Sequence, residues 1–542
     1  MGSLNSRELY AALWAAADAM RDRMSADDYK HYLLTLVFFK ALSDKFLSRA
    51  ASLLSEGRPL NPCTALTLYR HLRERHDATG EQLATRLRTE FSCLLEPEQT
   101  FSAFAVQCAG GCFQPEQLKI ALTQIENSQG STYTGMFADF DINSVELGRN
   151  PEERAALLSE VILALSRIDF SDYEDDALGD AYEYLIEKFA SESGRKAGEF
   201  YTPQAVSQLL SRLVISGHHG TGEFSLYDPC CGSGSLLLQA GGCLPGAGPA
   251  ACPFHGSDQG HLTYFGQENN HQTFNLARMN MLLHQVPADR QHLRCADTLA
   301  EDWPEGELFD AVVMNPPYSQ KWSPNPDRRS DPRFRDYAKL PPRTSADFAF
   351  LLHGFYHLKE DGCMGIVLPH GVLFRSHAEA VIRRQLLENG SISTIIGLPP
   401  HLFYSTSIPA CILILTKHNP ARSILFIDAS ADFVKTRARN LLEKEQINKI
   451  FEACRKRRDI PGYAHLASYE EIEVNDFNLN VPRYVIPPDA DEGMNPEEIL
   501  HRLEQLEQEE HELDARLKAY FRELKPATTT RQKNNPQIKK TD

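Results

Sequence analysis

Asn315-Pro316-Pro317-Tyr318 is the stretch whose residue types and order could do chemistry. An amide oxygen accepts protons, two prolines stiffen the turn, and an aromatic ring offers a stacking face. That set suits a planar base carrying an exocyclic amino group. The plainer reading is a proline-rich exit from a strand. The strand itself is clear, since residues 308–314 (LFDAVVM) are apolar and β-branched and read as buried. Prolines cannot donate to a sheet ladder, so the chain must leave the sheet at Asn315. In open α/β sheets, that carboxyl edge is where ligands sit.

Other residues could complete a site at the same edge. Residues 224–227 (FSLY) run into Asp228-Pro229-Cys230-Cys231-Gly232-Ser233-Gly234-Ser235 and then into LLL, a strand, a Gly-rich turn and a helix. No Gly-Lys-Ser/Thr follows and the G-x-G-x-x-G spacing is missing, which excludes a P-loop and a dinucleotide fingerprint. Gly232 and Gly234 let a ligand approach the backbone closely. Asp228, at the strand end, is placed for a cationic or hydroxyl-bearing group. A second strand over 262–267 ends at Glu268. A carboxylate there can accept from both ribose hydroxyls, or it is an ordinary surface glutamate. Asp297 either accepts from an adenine amino group or caps a turn. GEFYTP, residues 198–203, interrupts a helical pattern, and Thr202-Pro203 predicts a helix start with Thr202 as its N-cap.

The elements that must position these groups follow from periodicity. At 542 residues, two to four domains are expected. Leu33, Leu34, Val37, Phe38, Leu42 and Phe46 recur at helical spacing, and 1–190 is predicted to be an all-helical domain with a less regular middle near 57–130. Over 191–485, strands alternate with helices, which predicts a mostly parallel sheet with helices on both faces. Asn495-Pro496-Glu497-Glu498 is a strong helix start. Ile499, Leu503, Leu506, Leu513, Leu517, Tyr520 and Leu524 then form an a/d seam broken only at Glu510. The seam predicts a partner-binding helix over 486–526, followed by a polar, disordered tail over 527–542.

Charge limits the partners. A formal net charge of −17 argues against a chain that grips nucleic acid with its whole surface. Lys321, Arg328, Arg329, Arg333, Arg335, Lys339 and Arg343, with a second run at Arg455-Lys456-Arg457-Arg458, are the expected phosphate contacts if DNA is bound. The twelve cysteines lack regular spacing, which suits reduced thiols. Cys108-x3-Cys112 and the group Cys243, Cys252 and His255 have no completing pair, so no metal is expected. No run approaches the roughly 18–20 apolar residues of a membrane span, and no membrane partner is expected.

Taken together, GEFYTP, DPCCGSG and NPPY in this order resemble the S-adenosylmethionine-dependent N6-adenine DNA methyltransferases. YLLTLVFFKALSDKF, IVLPHGVLFRS and IIGLPPHLFYSTSIPACILIL extend the likeness, over roughly residues 5–520, to the modification subunits of type I restriction-modification systems. The resemblance implies an α/β, Rossmann-like methyltransferase sheet with a helical N-terminal domain and a C-terminal helical, coiled-coil extension. It implies S-adenosyl-L-methionine as cofactor, with Glu199, Phe200, Tyr201 and Thr202 closing over its methionine end. Asp228, Gly232, Ser233 and Gly234 would line the pocket, Glu268 would hold the ribose and Asp297 the adenine. Asn315, Pro316, Pro317 and Tyr318 would be the catalytic loop, with Phe403 as a second aromatic of the target pocket. The implied partners are double-stranded DNA, a separate specificity subunit with two modification subunits to each, and a motor-nuclease restriction subunit. The implied location is the cytoplasm of a bacterium or archaeon. Methylation of a protein glutamine or an RNA base is the competing enzyme reading, against which GEFYTP and the helical domain count. An inactive scaffold is opposed by the intact Asp228, Asn315 and Tyr318.

Overall fold

The structure, a computed structural model, describes residues 6–21, 23–54, 62–74, 78–170, 175–192, 202–217, 222–243, 262–323, 326–403, 409–436 and 439–486, with Gln505, Leu506 and Leu513 beyond them. Two compact units divide the chain, Met1–Val485 and Ile486–Asp542. Glu199, Phe200 and Tyr201 lie outside the described residues, as do Cys252, His255, nearly all of the predicted seam and the tail.

The helical reading of the N-terminal part holds, and it extends further than the sequence predicted. The long helix Ala26–Leu54 buries Leu33, Leu34, Val37, Phe38 and Phe46. The expected irregular middle is instead built of Pro62–Glu74, Ala78–Phe91, Phe101–Ala109 and Pro115–Glu126. The irregular stretch falls later, where 127–150 runs through successive turns before Asn150 caps Pro151–Ser166 by accepting from the Glu153 amide. The core of these helices takes in Leu276, Met279 and Leu283 of the helix His271–Leu283. The helical layer is thereby seated against an element that also borders the site.

Eleven strands are described: β1 Phe224–Asp228, β2 Leu262–Glu268, β3 Gln291–Cys295, β4 Phe309–Met314, β5 Leu358–Pro369, β6 Ile392–Gly397, β7 Ala410–Thr416, β8 Ile424–Asp428, β9 Val434–Lys435, β10 Asn440–Leu441 and β11 Ala464–Ala467. Nine form one sheet in the order β11-β8-β6-β7-β5-β4-β1-β2-β3, while β9 and β10 pair separately. Pairings β1–β2, β2–β3, β1–β4, β4–β5 and β6–β8 are parallel, and β7 runs antiparallel between β5 and β6. The sheet is therefore mostly parallel, as predicted. β3, β8 and β11 of this sheet, and the small pair β9–β10, were not read from the sequence.

The apolar run of β4 follows from its place near the middle of the sheet. Ala311 and Val313 join the core under the helices Gln204–Ile215 and Lys444–Lys456. Val312 and Met314 join the core under Asp347–Tyr356 and Ala378–Glu388. A strand buried on both faces shows no polar alternation. The chain passes from β1 to β2 and β3 on one side and returns to β4 on the other. The carboxyl ends of β1 and β4 therefore flank the point where strand order reverses, where ligands bind in such sheets. Leu226 pairs with Ala311 and Tyr227 with Val312. This register brings Asp228 and Asn315 to the same edge.

Candidate active site

A cavity of about 490 Å³ opens at that edge, within the usual range for small-molecule clefts of about 300–1,000 Å³. Asp228, Gly232, Ser233, Glu268, Asp297, Thr202, Asn315 and Pro317 all line it, so one cavity unites predicted residues from positions 202 to 317. Phe350, from the helix Asp347–Tyr356, and Gln320 line it as well. Three carboxylates face the cavity, and no Lys, Arg or His is among its lining residues. Such a wall disfavours phosphates and favours a cationic ligand bearing hydroxyl or amino donors.

The Gly-rich turn is shaped by its neighbours. The Cys231 amide donates to the Gln267 carbonyl at 2.9 Å, and the Gly234 amide donates to the Cys231 carbonyl at 2.8 Å. Gly232 and Gly234 sit at φ +55° and +79°, where a side chain would be strained. Gly234 serves the fold of the turn, packing over Ala277 and Met281, and does not line the cavity. Glu268 Oε2 accepts from the Gly232 amide at 3.1 Å and Oε1 accepts from the Asn270 amide at 2.7 Å. The carboxylate keeps acceptor capacity for a ligand.

Asp228 is 1% exposed, and its Oδ1 accepts from the Cys230 amide at 2.9 Å. Burial pushes its carboxyl up to about 8, the Cys230 amide opposes this, and nearby Glu268 adds to it. Burial also raises Glu268, against three backbone amides. Asp297 caps a turn, accepting from the Leu299 and Ala300 amides at 2.9 and 3.3 Å, while still bordering the cavity. Of the two sequence alternatives for that residue, these contacts show the turn cap.

The NPPY loop is tied across the cavity. Asn315 is 6% exposed; its Nδ2 donates to Thr202 Oγ1 at 3.0 Å and its Oδ1 accepts from the Tyr318 hydroxyl at 3.0 Å. Thr202 is not the helix cap that Thr-Pro predicted. The helix begins at Gln204 with Pro203 at the cap position, and the Thr202 hydroxyl is spent on Asn315. Phe403 is 4% exposed and meets Tyr318 edge-to-face, with centroids 6.0 Å apart and planes at 75°. That contact leaves no room for a base between the two rings. Phe403 packs against the Tyr318 ring.

The chain is similar to known proteins along most of its length. The N-6 DNA Methylase family matches residues 173–493, and the HsdM N-terminal domain matches residues 9–165. The type I restriction enzyme MpnII methylase subunit of Mycoplasma pneumoniae is 31% identical over 95% of both chains. The MjaVIII methylase subunit of Methanocaldococcus jannaschii is 31% identical over 95% of this chain and 84% of its own. The crystal structure of a type I restriction-modification system methyltransferase subunit from Streptococcus thermophilus superposes with a TM-score of 0.83. It is 46% identical, covering 89% of this chain and 100% of that one. The chain belongs to the N-6 DNA methylases, among the methylase subunits of type I restriction enzymes.

Two expectations about this methylase need correction. Arg333, expected at the DNA surface, is 2% exposed and donates to the Thr298 carbonyl at 2.8 Å and to Asp331 Oδ1 at 2.9 Å. Arg457 donates to the carbonyls of Ser393 and Ser423. Both are internal ties, because a guanidinium has five donors that can satisfy buried carbonyls. Arg328 is also engaged, with Asp331 and the Ala300 carbonyl. Lys321, Arg329, Arg335, Lys339 and Arg343 remain exposed.

The methylase also has a carboxylate–histidine cluster, Asp302, His353 and His357, that sequence spacing did not reveal. The Tyr227 hydroxyl donates to the Trp303 carbonyl at 2.7 Å and meets His353 Nε2 at 2.8 Å, leaving His353 Nδ1 to accept from Arg333 at 3.1 Å. Burial holds His353 well below the ordinary histidine range, with His357 and Arg333 pushing the same way. A guanidinium at the atom a cation would use makes this a polar brace behind Thr298. Phe350 escaped the sequence reading for a different reason, since FAFLL offers only core-like positions.

Proposed function

We propose that this chain transfers the methyl group of S-adenosylmethionine to the N6 amino group of an adenine flipped out of duplex DNA. The observation that carries the reading is an acid-lined cavity shared by Asp228, Glu268 and Asn315, without a basic residue on its wall. S-adenosylmethionine bound there would supply a methyl group on a positively charged sulfur. Asp228 suits its cationic part, Glu268 its ribose hydroxyls and Asp297 its adenine. Glu199, Phe200 and Tyr201 are proposed to close over the methionine end.

An adenine amino group is a weak nucleophile because its lone pair is delocalised into the ring. Asn315 Oδ1 and the Pro316 carbonyl can accept hydrogen bonds from its two N–H groups, which draws the nitrogen toward tetrahedral geometry and frees the lone pair. As the N–C bond forms and the methyl leaves sulfur, one of the two N–H protons is released to solvent. Pro317 keeps the turn rigid, Tyr318 stacks on the base, and Phe403 packs against Tyr318. Catalysis is then mainly positioning and electrostatics. Extracting the base costs a few kcal/mol, and stacking on Tyr318 offsets about 1–3 kcal/mol of that.

Sequence choice is assigned to a separate specificity subunit bridging two copies of this chain and gripped partly through the helix proposed over 486–526. A motor-nuclease subunit would add cleavage. The organisation proposed is a helical domain over 1–190, a catalytic domain over 191–485, the partner helix and a tail over 527–542. Among the described residues no helix is long and apolar enough to cross a membrane, and the cytoplasm is the proposed location. Expressing the chain with its specificity subunit in a host lacking modification, then mapping methylated adenines by long-read sequencing, tests the reading. Methyladenine confined to one short sequence is expected. Modification found only on protein or RNA overturns it.

A further inference from the structure

Ser319, directly after Tyr318, has φ +51°, a region that side chains disfavour. Such a backbone persists only where its surroundings hold it. Asp347, the first residue of the helix Asp347–Tyr356 and 0% exposed, provides the hold. Its Oδ1 accepts from the Ser319 amide at 2.7 Å. Its Oδ2 accepts from the Ser345 hydroxyl at 2.9 Å and from Arg375 at 2.7 Å. The Arg375 guanidinium, one-third exposed, also reaches the Ser319 hydroxyl at 3.4 Å and Glu379 Oε1 at 3.4 Å. One residue on, the Gln320 carbonyl accepts from the Ala346 amide at 2.9 Å. The segment leaving Tyr318 is thus pinned to the start of one helix.

We propose that Asp347 and Arg375 are positioning residues that hold the NPPY loop in its reactive geometry through Ser319. This rests on the reading of Asn315 and Tyr318 as the reacting loop. Neither Asp347 nor Arg375 lines the cofactor cavity, so their effect belongs in the chemical step and not in cofactor binding. A loop displaced by about 1 Å can lose some 10²-fold in rate. Glycine adopts positive φ without strain, so Ser319→Gly should lessen the need for the clamp.

The test uses the full chain assembled with its specificity subunit. Asp347→Asn and Arg375→Ala should each lower kcat by about 10- to 100-fold with the cofactor dissociation constant within about threefold of the parent. Arg375→Lys should recover part of the loss. Adding Ser319→Gly to Asp347→Asn or to Arg375→Ala should restore most of it. An unchanged kcat in folded Asp347→Asn, or no recovery with Ser319→Gly, overturns the proposal. If Asp347→Asn does not fold, the Arg375→Ala pair, at a partly exposed position, makes the same comparison. Asn315→Ala runs alongside: retained activity there removes the catalytic reading itself. An inactive Asn315→Ala beside fully active clamp variants removes only the clamp.

Discussion

The Tyr318 hydroxyl donates to Asn315 Oδ1 at 3.0 Å, so the phenol already uses one lone pair of the oxygen meant for the target amino group. The ring and the hydroxyl therefore have separable parts. Tyr318→Phe keeps the stacking face and frees the acceptor, and its kcat/KM should stay within about fivefold of the parent, the scale of one net hydrogen bond. Tyr318→Ala removes a stacking contact of about 1–3 kcal/mol and should cost roughly 5- to 150-fold. Steady-state methyl incorporation into duplex DNA distinguishes them; equal losses would mean the ring does not stack.

Thr202 holds the other end of the same amide, accepting from Nδ2 at 3.0 Å. Thr202→Val removes that acceptor while keeping the shape. A net hydrogen bond of about 1 kcal/mol corresponds to roughly a fivefold fall in kcat. Thr202→Ser, which keeps the hydroxyl, should stay near the parent rate. Single-turnover methylation is the measurement, and equal rates for Val and Ser would deny the tie.

How much of this was legible in the sequence depends on how far apart the partners are. Asp228 and Glu268 each end a strand and Asn315 directly follows one, and strand ends are visible as a polar residue closing an apolar run. The Thr202–Asn315 contact spans 113 residues, and local pattern carries nothing about such a pair. Thr-Pro resembled a helix cap because capping is a local rule, and the tertiary partner outcompeted it. Arg333 looked like a surface cation because charge alone does not reveal burial, whereas Asp331, Thr298 and His353 absorb its donors. The helices over 62–126 were hidden by short lengths and interspersed Cys, Gly and Pro.

Asp228 makes cofactor affinity depend on pH. With its carboxyl raised to about 8, most of it is protonated at pH 7 in the free protein. A cationic ligand requires the carboxylate, so binding releases up to one proton below about pH 8. Affinity for S-adenosylmethionine should therefore rise with pH up to that point, by at most about tenfold per unit. The same shift contributes stability that is fully present below the unfolded value near about 3.9 and is lost as pH rises through about 8. Asp228→Asn should flatten both profiles, separating this group from Glu183, which burial lifts to about 7. Calorimetric titration from about pH 6 to 8.5 checks the slope; a flat parental profile would contradict it.

Truncation before Asn495 should leave cofactor binding intact and weaken assembly with the specificity subunit, because it removes the whole a/d seam. Size-exclusion chromatography of the mixed subunits reads this directly. An unchanged complex would place the grip elsewhere.

Methyl transfer by Asn315→Ala, with cofactor binding measured on the same sample, decides whether the Asn315 amide acts in the reaction. Duplex DNA is incubated with methyl-labelled S-adenosylmethionine and the assembled subunits, then digested to nucleosides. The parent should place label in N6-methyl-2′-deoxyadenosine alone. Asn315→Ala should fall at least about 10³-fold while binding cofactor within a few-fold of the parent, since the loss concerns interactions made in the transition state. Label on another base, or parental activity in Asn315→Ala, would contradict the account.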